Sequence, residues 1–152
     1  MKSSDLDRAA VLLTLVPPIM HRKMHRGVFR VVLDRIGEDM APHHLMIMGV
    51  LAELSGTSHP AEIAEMTAIS KPQMTHSIDR LTELGMIRRQ HDAKDRRRVN
   101  IRLTEKGRAT FEQADEVLKE LIKERLSSLQ AEDLRKLAES LETMSGILTK
   151  MQ

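Results

Sequence analysis

Apolar residues recur at helical spacing along most of the chain, and the clearest case begins near Ser70. Met74, Ile78 and Leu81 are four and three positions apart, a spacing that puts them on one face of a helix. The positions between them are mostly polar, so the opposite face would meet solvent. Gly85 follows where a helix commonly ends. The pattern predicts an amphipathic helix that starts near Ser70 and stops before Gly85, which we call the reader helix.

The start of the reader helix has a polar signature of its own. Ser70 and Gln73 have the spacing of a capping box, in which each side chain bonds the backbone N–H of the other residue. Pro72 lies between them and suits the first turn of a helix, because an N–H at that point has no helical partner. We therefore predict a capped helix start at Ser70.

Apolar and polar residues alternate just after the reader helix. Val99, Ile101 and Leu103 are separated by polar residues, which is the pattern of a half-buried strand. A shorter strand is predicted at residues 86–90, with a polar loop between the two. The stretch therefore predicts a β-hairpin.

Two shorter helices precede the reader helix. Pro42 opens the first, and Ser55-Gly56 closes it. The second starts at Ser58-His59-Pro60 and ends a few residues before the reader helix. Two helices joined by a short turn form a helix-turn-helix, in which the second helix reads DNA. With the hairpin, this order predicts a winged helix-turn-helix over residues 37–107.

Both ends of the chain predict helices with wide apolar stripes. Pro17-Pro18 would interrupt or kink the N-terminal helix, because proline lacks the N–H that a helix interior requires, and the next helix would turn Val31 inward. Thr104 would cap a long helix after the hairpin. We assign residues 1–36 and 108–152 to dimerisation helices of a twofold homodimer, since a small monomer offers little to cover them. Packing on the winged helix-turn-helix alone is the alternative. The predicted fold is mainly α with a small β-wing.

Positive charge is concentrated on the hairpin. Residues 88–102 hold seven Arg or Lys and two Asp, a sum of +5, so the remaining chain carries −3 within the formal total of +2. Such a focus of charge beside a helix-turn-helix indicates a polyanionic partner. The chain has two Phe and no Tyr or Trp, so it lacks the aromatic side chains on which single-stranded nucleic acids stack. Double-stranded DNA is therefore the predicted partner.

Composition argues against other classes of protein. The absence of cysteine excludes disulfides and Cys-ligated zinc. No apolar run approaches the roughly 20 residues of a membrane span, and the opening MKSSDLDR does not fit a signal peptide, so a cytoplasmic protein is predicted. No glycine-rich phosphate loop or serine-centred elbow is present, and His76 with Asp79 lacks a nucleophile. We expect neither an enzyme nor a cofactor.

The wing and reader stretches together resemble a known family. The runs ISKPQMTHSIDRLTELGMIRR and DAKDRRRVNIRLTEKGR resemble the MarR family of winged-helix transcriptional regulators, whose wing reads Asp-Pro-x-Asp-Arg-Arg and then Leu-Thr-x-x-Gly. The residues in register are Asp92, Asp95, Arg96, Arg97, Leu103, Thr104 and Gly107, with Ala93 in place of the proline. The resemblance implies a homodimer on a pseudo-palindromic operator, repression more often than activation, and a small-ligand pocket between the dimer helices and the DNA-binding lobe.

The reader helix would lie in the major groove of DNA. Gln73 and Thr75 can meet base edges, because an amide can bond adenine with two hydrogen bonds. A role in capping alone is the alternative for Gln73. Lys71 and Arg80 would hold phosphates, and Asp79 would pair with an arginine of the protein. The predicted DNA-binding set on this helix is Ser70, Lys71, Gln73, Thr75, His76 and Arg80.

The wing would reach the adjacent minor groove, whose negative potential attracts a guanidinium. The resemblance implies that Arg97 is the tip residue and that Asp95 braces it through a charge-assisted bond. The predicted wing set is Lys94, Asp95, Arg96, Arg97 and Arg98.

An effector pocket is expected between residues 19–32, 43–51 and 109–122. The methionines there can adapt to a small apolar or aromatic ligand, although core packing is their plainer role. Arg22, His25 and His44 would orient an anionic ligand. The candidate ligand-binding set is Met20, Arg22, Met24, His25, His44 and Met48.

Zinc-responsive regulation is an alternative. His21 and His25 are four apart on one helix, and His43-His44 open the next, with Glu38 nearby. Zinc-sensing members of the family also use histidines from the long helix after the wing, and this chain has none there. Ordinary surface or pocket histidines are the simpler reading.

A wing used for protein contacts is a third possibility, which its basic charge disfavours. The operator, the target genes and the effector are not readable from the sequence.

Overall fold

The computed structural model of the protein describes residues 2–91 and 99–151, with side chains from Ser4 onward. Its contacts divide the chain into two units, residues 1–118 and residues 119–152. The helices are α1 (Lys2–Met20), α2 (Val28–Ile36), α3 (Pro42–Glu53), α4 (Pro60–Thr67), α5 (Lys71–Glu83), α6 (Glu105–Leu126) and α7 (Ala131–Leu148), with a π-helical turn at His21–His25. The strands are β1 (Thr57–Ser58), β2 (Ile87–His91) and β3 (Val99–Leu103). The predicted fold class, mainly α with a small β-wing, is confirmed.

The winged helix-turn-helix is built on one apolar core. Helices α3, α4 and α5 follow the predicted order, and the three strands form an antiparallel sheet in the order β1-β3-β2. The strand β1, which pairs Thr57 with Arg102 and Ser58 with Ile101, was not predicted. The side chains that are fully buried in this core include Ile47, Met48, Leu51, Ile63, Leu81, Met86, Ile87 and Ile101. They come from α3, α4, α5, the start of the wing and β3, so the reader helix packs on a core that these elements share.

The reader helix is α5, and its inner face agrees with the sequence prediction. Met74, Ile78 and Leu81 are buried. The predicted capping box is wrong, because the Ser70 side chain makes no capping hydrogen bond. The helix start depends instead on the backbone, where the Ser70 oxygen accepts from the Met74 N–H at 2.8 Å, and on Pro72, which suits the first turn.

The N-terminal helix differs from its prediction. Helix α1 continues through Pro17 and Pro18, so the interruption that was one predicted outcome does not occur, and a kink there stays a prediction. The break comes later, at the π-helical turn, where the Arg26 N–H donates to the His21 oxygen at 2.8 Å. A proline has helical φ and removes only its own donor, so a solvent-exposed helix can continue past it. Val31 is 39% exposed, which contradicts its predicted inward position.

The end of the reader helix, the first wing strand and the start of α6 meet at one junction. Thr104 Oγ1 caps α6 by accepting from the Gly107 N–H at 3.0 Å, as predicted. The same hydroxyl lies 2.7 Å from the carbonyl oxygen of Gly85, to which it donates. A Cβ on Gly107 would lie 2.0 Å from the Met86 oxygen, so only glycine fits there. This close approach fixes α6 against the base of the wing.

The second unit, residues 119–152, contains α7. Its apolar residues Leu137, Leu141, Met144, Ile147 and Leu148 are all exposed. Arg135 pairs with Glu132 and Glu139 along the same helix. The assignment of residues 1–36 and 108–152 to dimerisation helices stays a prediction.

Within the described residues, no helix has the length and apolar character that crossing a membrane requires.

Candidate nucleic-acid interface

The first half of the reader helix presents a polar surface to solvent. Ser70, Lys71, Gln73, Thr75 and His76 are all exposed, as the sequence predicted. None of them has an ion pair with the described residues, and the Thr75 hydroxyl donates only to the Lys71 oxygen, at 3.1 Å. These groups keep donors and acceptors available, which contact with base edges and phosphates requires.

The second half of the helix is held by three ion pairs. Arg80 pairs with Asp39 at 2.5 Å and with Glu83 at 3.2 Å. Asp79 accepts a hydrogen bond from Arg89 of β2, which confirms that Asp79 partners an arginine of the protein. The predicted phosphate contact of Arg80 stays a prediction, but its guanidinium would have to leave these carboxylates to make it.

The wing strands carry charge up to the edge of the described residues. Strands β2 and β3 pair from Ile87 with Leu103 to His91 with Val99. This register puts Arg88 directly opposite Arg102. The predicted wing contacts Lys94, Asp95, Arg96, Arg97 and Arg98 lie outside the described residues.

An apolar groove lies between α4, the reader helix and the wing, and we call it the α4–wing groove. Its cavity has a volume of about 720 Å³. Ile69, Met74, Ile78, Val99 and Ile101 supply apolar walls. Lys71, Thr75, His59, Glu65 and Arg89 add polar groups. Cavities of roughly 300–1,000 Å³ with few polar groups suit small ligands.

Sequence reasoning missed the α4–wing groove, and only one signal pointed to it. Arg89 is two residues after the buried Ile87, so the period of a strand puts it on the inner face of the wing. Contact between this arginine and α4 or the reader helix depends on the fold and has no local signature.

His44 is the most perturbed titratable side chain of this lobe. It is buried at the first turn of α3, where its Nδ1 accepts from the Ala41 N–H at 3.1 Å. Burial lowers its pKa from 6.5 to about 4, and His43, Arg80 and His76 lower it in the same direction. Since Nδ1 is an acceptor, the proton of the neutral ring is on Nε2, which has no partner among the described residues.

The predicted effector residues are distributed over two places in the chain. Met20 ends α1, and Arg22, Met24 and His25 belong to the π-helical turn. His44 and Met48 are buried on α3. None of the six lines the α4–wing groove. Their role stays a prediction.

The histidines of the zinc alternative are not assembled into a site. Within residues 2–91 and 99–151, no three His, Asp or Glu side chains lie close enough together to hold a metal ion. His25 instead stacks on Phe29, with ring centroids 6.1 Å apart. His43 meets His44 edge-on at 4.4 Å. His21 is an exposed residue of the π-helical turn.

These elements define a winged helix-turn-helix protein. Residues 38–98 match the model of the MarR family. This match covers the winged helix-turn-helix lobe and supports a winged-helix transcriptional regulator of the MarR family. The resemblance read from the sequence is confirmed.

Solved structures share the same fold. A MarR family protein from Bacillus stearothermophilus is 24% identical, with a TM-score of 0.73 over 95% of this chain and 97% of its own. A mutant of MarR from E. coli, crystallised with operator DNA, is 20% identical, with a TM-score of 0.64 over 91% and 96%. An organohalide-sensing transcriptional regulator, solved with bound 2,4-dichlorophenol, is 21% identical, with a TM-score of 0.62 over 91% and 79%.

Proposed function

We propose that the protein is a transcriptional repressor that binds a pseudo-palindromic duplex operator as a homodimer and responds to a small anionic ligand. The observation that carries the proposal is the exposed, unpaired first half of the reader helix above a rigid apolar core. Positive charge on the wing and the related protein solved with operator DNA support a DNA partner. In this mode the reader helix enters the major groove, and the wing enters the neighbouring minor groove.

Arg97→Ala tests the wing contact. We expect this substitution to weaken operator binding severely while leaving the fold unchanged, since Arg97 is the predicted minor-groove residue. The measurement is fluorescence anisotropy on genomic fragments that the wild-type protein selects. Arg135→Ala is the matched control, because Arg135 is an arginine of α7 whose ion pairs with described residues lie within its own helix. Equal binding by the two variants would refute the minor-groove model.

Salt dependence tests the same interface independently. A dimer that makes 6–10 phosphate contacts should lose about 10³–10⁵ in affinity between 50 and 200 mM salt. A nearly flat salt response of the wild-type protein would show that the basic wing does not meet the DNA backbone.

We infer that the α4–wing groove holds the effector. Its apolar walls suit a small hydrophobic body, and Lys71 supplies positive charge to an anionic group. Arg89 can add to it by exchanging the exposed Asp79 carboxylate for that of the ligand. Two sides of the groove are the reader helix and the wing, so a ligand bound there would contact both DNA-binding elements. The related regulator with bound 2,4-dichlorophenol supports a small aromatic ligand in this family. A ligand that binds more tightly to one arrangement of the reader helix and the wing shifts the population of molecules towards that arrangement.

Arg89→Gln tests the groove with benzoate as the probe. We expect benzoate to bind the wild-type protein and to bind this variant about ten- to a hundredfold less tightly, because a hydrogen bond to a charged group is lost. Benzamide, which has no charge, should bind weakly to both proteins. Arg88→Gln is the control, since Arg88 is the adjacent arginine of β2 and does not line the groove. Isothermal titration that finds the same benzoate affinity for both variants would exclude Arg89 as the anion anchor.

A further inference from the structure

Arg80, a cation of the reader helix, already forms ion pairs within the protein. Its Nη2 donates to the Asp39 carboxylate at 2.5 Å and to the Asp39 backbone oxygen at 3.3 Å. Its Nη1 donates to the Glu83 carboxylate at 3.2 Å. The other cation of this helix, Lys71, has no such pair among the described residues. The helix therefore offers one available positive charge and one that two carboxylates neutralise.

The partners of Arg80 are exchangeable. The Asp39 side chain is 93% exposed and that of Glu83 is 67% exposed, while that of Arg80 is 32% exposed. Ion pairs with such exposed carboxylates are weak, because water screens them and competes for both groups. A phosphate oxygen offers the same acceptor chemistry in a geometry that a guanidinium binds well. DNA can thus replace Asp39 without disturbing a buried interaction.

Asp39 lies in a short linker that touches two other elements. The linker joins α2 to α3, and its preceding residue, Glu38, pairs with Lys106 of α6 at 2.9 Å. Lys106 Nζ also donates to the Leu84 oxygen at the end of the reader helix, at 3.0 Å. The two neighbouring acids therefore have separate partners, and only Asp39 holds a cation of the reader helix itself.

We propose that Asp39 is an affinity-determining residue that withholds Arg80 from the DNA backbone, so that operator binding requires an exchange of carboxylate for phosphate at this guanidinium. The proposal depends on the DNA-binding function argued above. Asp39 acts in two ways: it occupies the donors of Arg80, and it adds a negative charge close to the DNA. The free protein therefore binds duplex DNA less tightly than the exposed cations of the lobe allow.

Asp39→Asn tests the proposal, with Glu38→Gln as the matched control. Both variants remove one negative charge from the same linker, but only Asp39→Asn takes a carboxylate away from Arg80, which keeps its pair with Glu83. We expect Asp39→Asn to bind a labelled DNA duplex selected by the wild-type protein about two- to fivefold more tightly than Glu38→Gln does. Its log affinity should also fall more steeply with log salt, by up to about 0.9, because no displaced Asp39 carboxylate takes up a cation when the DNA binds. Adding Glu83→Gln should increase the gain.

Arg80→Gln separates the proposed exchange from a general charge effect. In this background Asp39→Asn should give no gain beyond that of Glu38→Gln, since no guanidinium is left to release. If Asp39→Asn and Glu38→Gln bind equally in the presence of Arg80, the proposal is overturned. Weaker binding by a folded Asp39→Asn variant would overturn it as well, because Asp39 would then position the helix for binding. A wild-type protein that binds no duplex DNA would instead refute the DNA-binding function.

Discussion

His44 shows how one residue can link helix capping to pH. It is the third residue of α3, the position from which a glutamate or glutamine side chain usually returns to the N-cap N–H. The neutral imidazole does this through Nδ1, which accepts from Ala41. A protonated ring has no acceptor at Nδ1. Protonation would therefore remove the cap and leave a charge in a buried position near Arg80.

The lowered pKa of His44 predicts a loss of stability in acid. Its pKa is about 4 in the folded protein and 6.5 ordinarily, so the unfolded chain takes up the proton first as the pH falls. This contribution to the free energy of unfolding is fully present above about pH 6.5 and is lost as the pH falls. By pH 4 the loss amounts to about 3 kcal/mol. Urea unfolding at a series of pH values measures it.

Two substitutions isolate this effect from carboxylate titration. His44→Gln keeps an oxygen acceptor for the Ala41 N–H and does not titrate, so its free energy of unfolding should fall less between pH 6.5 and pH 4. His43→Gln removes a less buried neighbour that also lowers the pKa of His44, so it should reduce the dependence only in part. The assignment fails if both variants follow the wild-type curve.

At the scale of elements, glycine makes the contact between α6 and the wing base possible. A Cβ on Gly107 would lie 2.0 Å from the Met86 oxygen and 2.9 Å from its carbonyl carbon. A backbone carbonyl cannot move aside as a flexible side chain can, so the helix and the strand would have to separate. The wing would lose its fixed position relative to α6.

Gly107→Ala should therefore destabilise the fold, although alanine is the better helix former. We expect a loss of about 1–3 kcal/mol or more from overpacking. Gly146→Ala is the control, because this glycine of α7 has open space around its Cβ position. It should raise stability by up to about 1 kcal/mol through helix propensity. Thermal unfolding that shows a gain in stability for both variants would contradict the close contact.

At the scale of the whole molecule, α1 and α7 expose many large apolar side chains to water. On α1, Leu6, Val11, Leu13 and Leu15 are each at least half exposed. On α7, Leu141 and Met144 are more than a third exposed. Exposed apolar side chains in this number on water-exposed helices indicate a protein interface. A second copy of the chain is the partner we propose, in a dimer that sets the two reader helices roughly 34 Å apart.

Substitutions that place charge among the exposed apolar residues of α7, which we call the α7 stripe, test the dimer. The wild-type protein should sediment as twice the 17.3 kDa chain mass. Leu141→Glu with Met144→Glu should weaken association about a hundredfold or more, since two apolar side chains would lose their burial. Ser140→Glu, which adds charge beside the stripe, should leave the mass of the dimer unchanged. A monomeric wild-type protein in analytical ultracentrifugation would remove the basis of the two-helix operator model.

The sequence by itself determined the elements whose signals are local. The reader helix, its buried face, the stop at Gly85 and the Thr104 cap all depend on residues within a few positions of one another, where helical and strand periodicity act. The basic wing and its family motif are equally local. These features were enough to identify the fold class and to predict a duplex-DNA partner.

The tertiary structure decided which distant residues meet. Arg80 is 41 positions from Asp39, and Thr104 is 19 from Gly85, so no periodicity relates them. The α4–wing groove and the pairing of β1 with β3 likewise depend on packing. The break after α1 comes later than Pro18, which a solvent-exposed helix permits. Local propensity is a weak preference that tertiary contacts override, and the pairing of charges across elements exists only once the chain has folded.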